Sequence, residues 1–300
     1  MSTQEVLNLI WNTKNEYVST LQKECGLMLK IEIDKEELID LYVKQGMRTK
    51  DIAKIYNVTP KTIRFRLHEH GIEVRQSCIE NRKNTFNENY FDTIDTQAKA
   101  YILGFICADG WVATNRCGNP NLVGLMIQER DVEILEFIKD ELNVKGCKPS
   151  TGNGAIGLNL CSVKMAKTLN SYGVVPNKSL TLDIEEVINK AQISKHLIPS
   201  FVLGYYDGDG GIYSTLGRNK KTLQWSCGFT GTMETCKYLQ KFFNDGHIVD
   251  EKAKSGRVFT FKMSGRNRVV EGLEKLYGQH ETFCFYRKYQ KFLVAKSPTG

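Results

Sequence analysis

The chain has 300 residues, 41% of them hydrophobic and 25% charged, with a net charge of +7; that is length for two or three domains, apolar material for real cores, and a modest basic excess compatible with a polyanionic partner. Nine cysteines, an odd number with no zinc-knuckle spacing, exclude a disulfide framework or structural zinc and predict free thiols in a reducing cytosol. No apolar run reaches the ~20 residues of a membrane span, and Glu5, Glu16 and Glu24 are unlike a signal or transit peptide, so a soluble, cytoplasmic protein is expected.

Residues 1–75 read as an N-terminal helical domain. Ser2 and Glu5 stand at capping-box spacing ahead of Leu7, Ile10, Trp11, Val18 and Leu21, and no chemistry attaches to this first piece. Over 34–73 a helix carries Leu38, Ile39, Leu41 and Tyr42 and stops near Gly46. Thr49 is expected to cap a second helix bearing Ile52, Ala53 and Ile55. Asn57 supplies a turn residue, and Thr59 with Pro60 opens a third helix with Ile63 and Leu67 inward and Gly71 at its end. Two short helices across a tight turn is the helix-turn-helix plan, whose last helix enters the DNA major groove. The outward residues Lys61, Thr62, Arg64 and Arg66, with Phe65 beside them, are then candidate DNA contacts. A merely solvated basic face is the competing reading. Residues 76–96, rich in Asn, Gln, Ser and Thr, read as a linker.

The remainder contains an internal repeat. One copy, residues 100–110, reads AYILGFICADG, and the other, 201–210, reads FVLGYYDGDG. Gly104 aligns with Gly204, Ala108 with Gly208, and Asp109 with Asp209, one hundred residues apart. Each copy is followed by two alternating stretches, a helix, a short hairpin and another helix. The pattern predicts an α+β fold of two pseudo-symmetric αββαββα subdomains, 97–180 and 198–300, joined by a linker over 181–197.

Each repeated motif is an apolar helix ending in Asp-Gly. Small residues four apart, Gly104 with Ala108 and Gly204 with Gly208, lie on one face and let two helix backbones approach about a pseudo-two-fold axis. Both C-terminal ends then meet, each with an Asp and the partial negative charge of unpaired carbonyls. Such an arrangement calls for a divalent cation, and hard oxygen ligands suit Mg²⁺, which activates water and stabilises the leaving oxygen in phosphodiester hydrolysis. An Asp-Gly that simply turns the chain would explain one motif but not two in matching surroundings.

At these residues the chain resembles the LAGLIDADG homing endonucleases, in the monomeric two-motif branch, over about two-thirds of its length. The resemblance implies cleavage of both strands of a long, non-palindromic double-stranded DNA target. It also implies that Asp109 and Asp209 bind the catalytic Mg²⁺, for which Mn²⁺ could substitute, with further contacts from the carbonyls of Ala108 and Gly208. Cys107 stands where the family usually has Asp; the second copy keeps Asp207. The family further implies a Lys near each metal site, expected on the last strand before the final helix: Lys262, which aligns with Asn159 of the first half. The strands would form a DNA-binding saddle, with Leu223, Trp225, Cys227 and Phe229 inward and Gln224 and Ser226 on the polar face. Arg116, Arg218, Lys254 and Arg257 near strand ends are candidate phosphate contacts. A regulator that binds DNA without cutting it, or an intron maturase, is the alternative within the same fold; the paired Asp residues favour the nuclease.

Overall fold

Two apolar helices lie against each other at the centre of the larger part of the molecule because each has a glycine where a side chain would collide with its partner's backbone. In the computed structural model, which describes residues 33–75, 85–146, 150–152, 154–217, 222–250, 258–278 and 283–297, the chain divides into two compact units, Met1–Glu80 and Asn81–Gly300.

In the smaller unit, α1 (Lys35–Leu38) runs directly into a π-helical turn, Ile39–Lys44, and is followed by α2 (Thr49–Ile55) and α3 (Pro60–Glu69). Leu38, Tyr42, Ile52, Ala53, Ile63 and Leu67 form one buried core. Asp34 caps α1 through the amides of Glu36 and Glu37. Thr59 caps α3 with Pro60 at the first turn, and its Oγ1 accepts from the Thr62 amide. Gly46, Asn57 and Gly71 all take the left-handed backbone that ends each segment. Two expectations change. Thr49 is buried inside the first turn of α2, whose cap position belongs to Arg48. Arg66 is 6% exposed rather than outward-facing, because its guanidinium pairs with Glu69 one turn on. Residues 1–32, with their expected helix, lie outside the described residues.

In the larger unit, α4 (Gln97–Asp109) leads into β1 (Gly110–Thr114), β2 (Pro120–Gln128), α5 (Glu133–Glu141), β3 (Ser150–Gly152), β4 (Ala155–Leu160) and α6 (Val163–Ser171). After α7 (Ile184–Lys190), the order repeats: α8 (Ile198–Asp209), β5 (Gly210–Leu216), β6 (Leu223–Gly231), α9 (Met233–Phe243), β7 (His247–Asp250), β8 (Phe259–Ser264) and α10 (Arg266–Tyr277). A further helix, α11 (Tyr286–Lys296), follows. The two antiparallel sheets have equivalent orders, β1-β2-β4-β3 and β5-β6-β8-β7, so the expected pair of αββαββα halves is present. Their inward faces alternate as a half-buried strand requires: Val123, Leu125 and Ile127 on β2, and Trp225, Cys227 and Phe229 on β6. Leu223, expected inward, is 44% exposed, since it pairs with Leu216 at the far end of the β5–β6 ladder.

Neither stretch expected as a linker is a bare connection. From Phe86 onward the first packs on the main core, burying Tyr90, Phe91 and Ile94, and the Tyr172 hydroxyl donates to the Phe91 carbonyl at 2.7 Å. The second holds α7, with Ile184, Val187 and Ile188 buried, and its Leu182 carbonyl accepts from the hydroxyls of Thr232 and Thr235. Each joins the core because its polar majority hides a few large apolar side chains, which bury for about 1.5–3 kcal/mol apiece. No helix among the described residues is long and apolar enough to cross a membrane.

Candidate active site

The approach of α4 and α8 is reciprocal. A Cβ added at Gly104 would sit 1.9 Å from the Phe201 carbonyl oxygen, and one at Gly204 would sit 1.9 Å from that of Tyr101. One turn on, a Cβ at Gly208 would meet Ala108 Cβ at 2.2 Å and Asp109 Oδ2 at 3.4 Å. The small residues singled out by the repeat are therefore the contact itself. Each helix stops at its Asp, and the strand departs with no intervening loop. Gly110 and Gly210 are needed there because a Cβ would lie 2.8 Å from the Ile106 carbonyl oxygen and 2.6 Å from that of Tyr206.

Asp109 and Asp209 are thus neighbours at two converging helix C-termini. Burial pushes the carboxyl of Asp209 up to about 6, and the charge of Asp109 pushes in the same direction, against Lys178 and Lys288. Asp109 is raised too, first by burial, while Lys288, Lys178 and Arg287 oppose the rise. Both carboxyls are more basic than usual, chiefly because burial disfavours their charged forms.

Lys178 and Lys288 are the residues the sequence reading missed. Lys288, on α11, is buried, and its ammonium donates to the carbonyls of Tyr206, Asp207 and Gly210, each at 2.7 Å. Three acceptors use all three of its N–H bonds. Lys178, in a 3₁₀ turn at Lys178–Leu180, donates to the Ala108 carbonyl at 2.6 Å, the carbonyl expected to face a metal. Cations on the last carbonyls of a helix offset its negative end. Burial lowers both lysines, Lys288 to about 8, with neighbouring carboxylates resisting the change. Neither lysine carries a repeat signature, for they follow their Asp by different intervals, in segments that align poorly.

Asp207 is 1% exposed. It accepts from the Tyr101 hydroxyl at 2.7 Å and the Phe285 amide at 2.8 Å, which ties α8 to α4 and to the segment before α11. Burial raises it to about 6. Its counterpart Cys107 is an inert buried thiol, pushed up to about 12 by the same loss of water. The segment before α11 also stacks Phe283 on Phe137, centroids 4.9 Å apart. Arg287 makes a two-pronged ion pair with Asp131, at 2.8 and 2.9 Å, so residues of the second half's C-terminal side grip the first half.

Lys262 occupies the strand position expected for it. Strand register pairs Gly124 with Asn159 and Gly228 with Lys262, so Asn159 and Lys262 are equivalent. The cations whose charge acts on the two carboxyls include Lys178 and Lys288, with Arg287 on Asp109. Side chains alternate along β8, and Lys262 faces away from buried Phe261 and Met263, into a hollow of about 450 Å³ that it shares with Thr215, Gln224, Ser226, Ser264 and Arg266. Gln224, Ser226 and Lys262 are thereby brought together on the open face of the second sheet. A second cavity of about 140 Å³ lies beside the Asp pair, lined by Cys107, Ala108, Lys178, Tyr205, Asp209 and Thr230 among others. Arg116 is exposed in the β1–β2 turn, where Asn115 Oδ1 accepts from the amides of Cys117 and Asn119. Lys61, Arg64 and Phe65 are exposed on α3 and Thr62 is half-buried. Arg218, Lys254 and Arg257 lie outside the described residues.

The donor set fits a hard divalent cation: two carboxylates with raised proton affinity at two negative helix ends, and oxygen ligands alone. Among the described residues no group of three or more His, Cys, Asp or Glu side chains forms a metal cluster, so Asp109 and Asp209 would hold the ion with backbone oxygen, Gly208 included, and water.

No protein-family model matches the chain, and no curated protein matches it. Among solved structures it is similar to the LAGLIDADG homing endonuclease I-GzeII in complex with its DNA target, at 16% identity and a TM-score of 0.45, covering 66% of this chain and 88% of that one. It is also similar to the LAGLIDADG homing endonuclease I-LtrWI bound to target DNA, at 13% identity and a TM-score of 0.47, with 70% and 91% covered. A third similar structure is meganuclease I-SmaMI bound to uncleaveable DNA, at 15% identity and a TM-score of 0.49, with 68% and 89% covered.

Proposed function

We propose that the chain is a metal-dependent DNA endonuclease of the LAGLIDADG homing type, which cuts both strands of a long double-stranded site. The observation that carries this reading is the reciprocal glycine contact of α4 and α8, which makes one site out of Asp109 and Asp209. Selection for a pure DNA-binding scaffold gives no reason to hold two raised carboxylates together at the cost of their repulsion. Asp109 and Asp209 bind the divalent ion, Mg²⁺ or Mn²⁺ by the chemistry of their oxygens. When bound, that ion activates water and stabilises the oxygen leaving phosphorus. Lys178, with one carbonyl acceptor and two N–H bonds left to donate, faces the cavity beside Asp209 and stabilises negative charge on a phosphoryl oxygen there. Lys288 holds the end of α8, and therefore Asp209, in place.

The open faces of the two sheets form the DNA surface, with Gln224, Ser226 and Lys262 reading or gripping one half-site and Arg116 holding phosphate in the other. The smaller unit is a helix-turn-helix that lengthens the recognised site, with Lys61, Thr62 and Arg64 on its presented helix.

Incubating the protein and Mg²⁺ with a plasmid library that carries the genomic sequence flanking its gene tests the reading. Linear product is expected from the wild type. Asp109→Asn and Asp209→Asn should each lose double-strand cleavage, while binding the same duplex in Ca²⁺ with nearly unchanged affinity. Full cleavage by either variant overturns the assignment, and binding without cleavage by the wild type makes the protein a regulator.

A further inference from the structure

The outward side of α3 carries an aromatic ring that its own unit does not use. Ile63 and Leu67 are fully buried and Arg66 nearly so. At 100° per residue this turns Lys61, Arg64, Phe65 and His68 to the opposite side, where all four are exposed. Phe65, 61% exposed, lies near the middle of that face. The Arg66 guanidinium stands 5.9 Å from the ring's centroid and is itself paired with Glu69.

The surroundings select the partner's chemistry. Lys61 and Arg64 are exposed beside the ring, and Glu69, the one acidic residue of α3, is paired with the inward-turned Arg66. A cationic rim around an apolar ring complements a surface with anionic walls and an apolar floor. The DNA major groove offers that combination, with phosphates on both edges and the 5-methyl groups of thymines between them. We propose that Phe65 is a specificity-determining residue, packing against a thymine 5-methyl group in the major groove while Lys61 and Arg64 hold the flanking phosphates. This rests on the reading of the smaller unit as a DNA-binding helix-turn-helix.

The full-length chain in Ca²⁺ is used to select duplexes from a randomised library. Each thymine of the selected site is then replaced singly by deoxyuridine, which deletes only the methyl group, and Kd is measured for wild type, Phe65→Ala and Phe65→Leu. At one or two adjacent positions the replacement should weaken the wild type about fourfold, the worth of one buried carbon. The same replacement should leave Phe65→Ala unaffected and give Phe65→Leu an intermediate loss. Because the ring is exposed, Phe65→Ala should keep the wild-type Tm. A uracil penalty equal in wild type and Phe65→Ala at every position overturns the proposal, as does no penalty anywhere. An unchanged Kd for the double variant Lys61→Ala, Arg64→Ala overturns the DNA-binding reading of the smaller unit, and the inference falls with it; a weakened Kd there together with a flat uracil scan overturns the inference alone.

Discussion

In the first half of the larger unit, the motif helix ends on Cys107, Ala108 and Asp109, and one lysine, Lys178, reaches one of its carbonyls. In the second half the helix ends on Asp207, Gly208 and Asp209. There Lys288 takes three carbonyls, Asp207 takes a tyrosine hydroxyl and a backbone amide, and Arg287 crosses to Asp131 of the first half. The strand registers remain equivalent throughout. Backbone packing is thus symmetric and the polar groups that close it are not. The symmetric part depends on volume, which two similar helices must share equally. The asymmetric part depends on hydrogen-bond donors, which can come from anywhere in the chain.

The symmetric contact is where the largest effects are expected. Gly104→Ala and Gly204→Ala each force a methyl group onto a carbonyl oxygen of the other helix, and each should cost about 3 kcal/mol. Urea unfolding should return two nearly equal losses; a variant as stable as wild type would show that the helices approach differently. The lysines should break the symmetry. Lys288→Met removes the charged donor from three carbonyls, two of them among buried residues, and is expected to cost about 2–3 kcal/mol. Lys178→Met abandons one carbonyl beside a cavity and should cost about 1 kcal/mol. Equal losses in the same unfolding assay would erase the distinction drawn between a cation that caps a helix and one that lines a cavity.

A further effect concerns pH. Asp209 in the folded protein is raised to about 6, above the ~3.9 of an unfolded Asp, so the folded state binds the extra proton. Its contribution to stability is full below about pH 4 and is lost as pH rises through about 6. Without divalent metal, Tm should therefore fall over that interval relative to Asp209→Asn, which carries no such proton. Asp109→Asn should shrink the fall by removing the second charge. Mg²⁺ should restore Tm at pH 7 and do little at pH 4, where protons occupy its ligands; equal rescue at both values would deny the ion this pair.

The halves, the helix contact and the Asp pair were legible in the sequence because each is a local pattern written twice. Gly104 and Gly204 share a spacing to their aspartates, and strand alternation shows which face of β6 or β8 turns inward. What escaped is what has no period. Lys178 and Lys288 act through an ammonium at the end of a long stem, and no spacing rule links them to carbonyls so far back in the chain. Asn159 and Lys262 were aligned rightly, since strand alternation sets the register. Arg66 looked like one more basic residue on α3, until a partner three residues on drew it inward. Tyr90 and Phe91 stand out at the end of a polar stretch, but the average of that stretch still read as a linker.

The order in which the site's parts leave the ribosome follows from Lys288. Both aspartates have been synthesised by residue 209, yet the ammonium that caps the second motif helix and the Arg287 clamp on Asp131 arrive 79 and 78 residues later. At about 5–20 residues per second that is a delay of roughly 4–16 s. During this interval a nascent chain can fold its first half and hold both acids, but the end of α8 lacks its buried counter-charge. Translation that stops anywhere in that stretch releases a protein with both motifs and a second motif helix whose end has no cap.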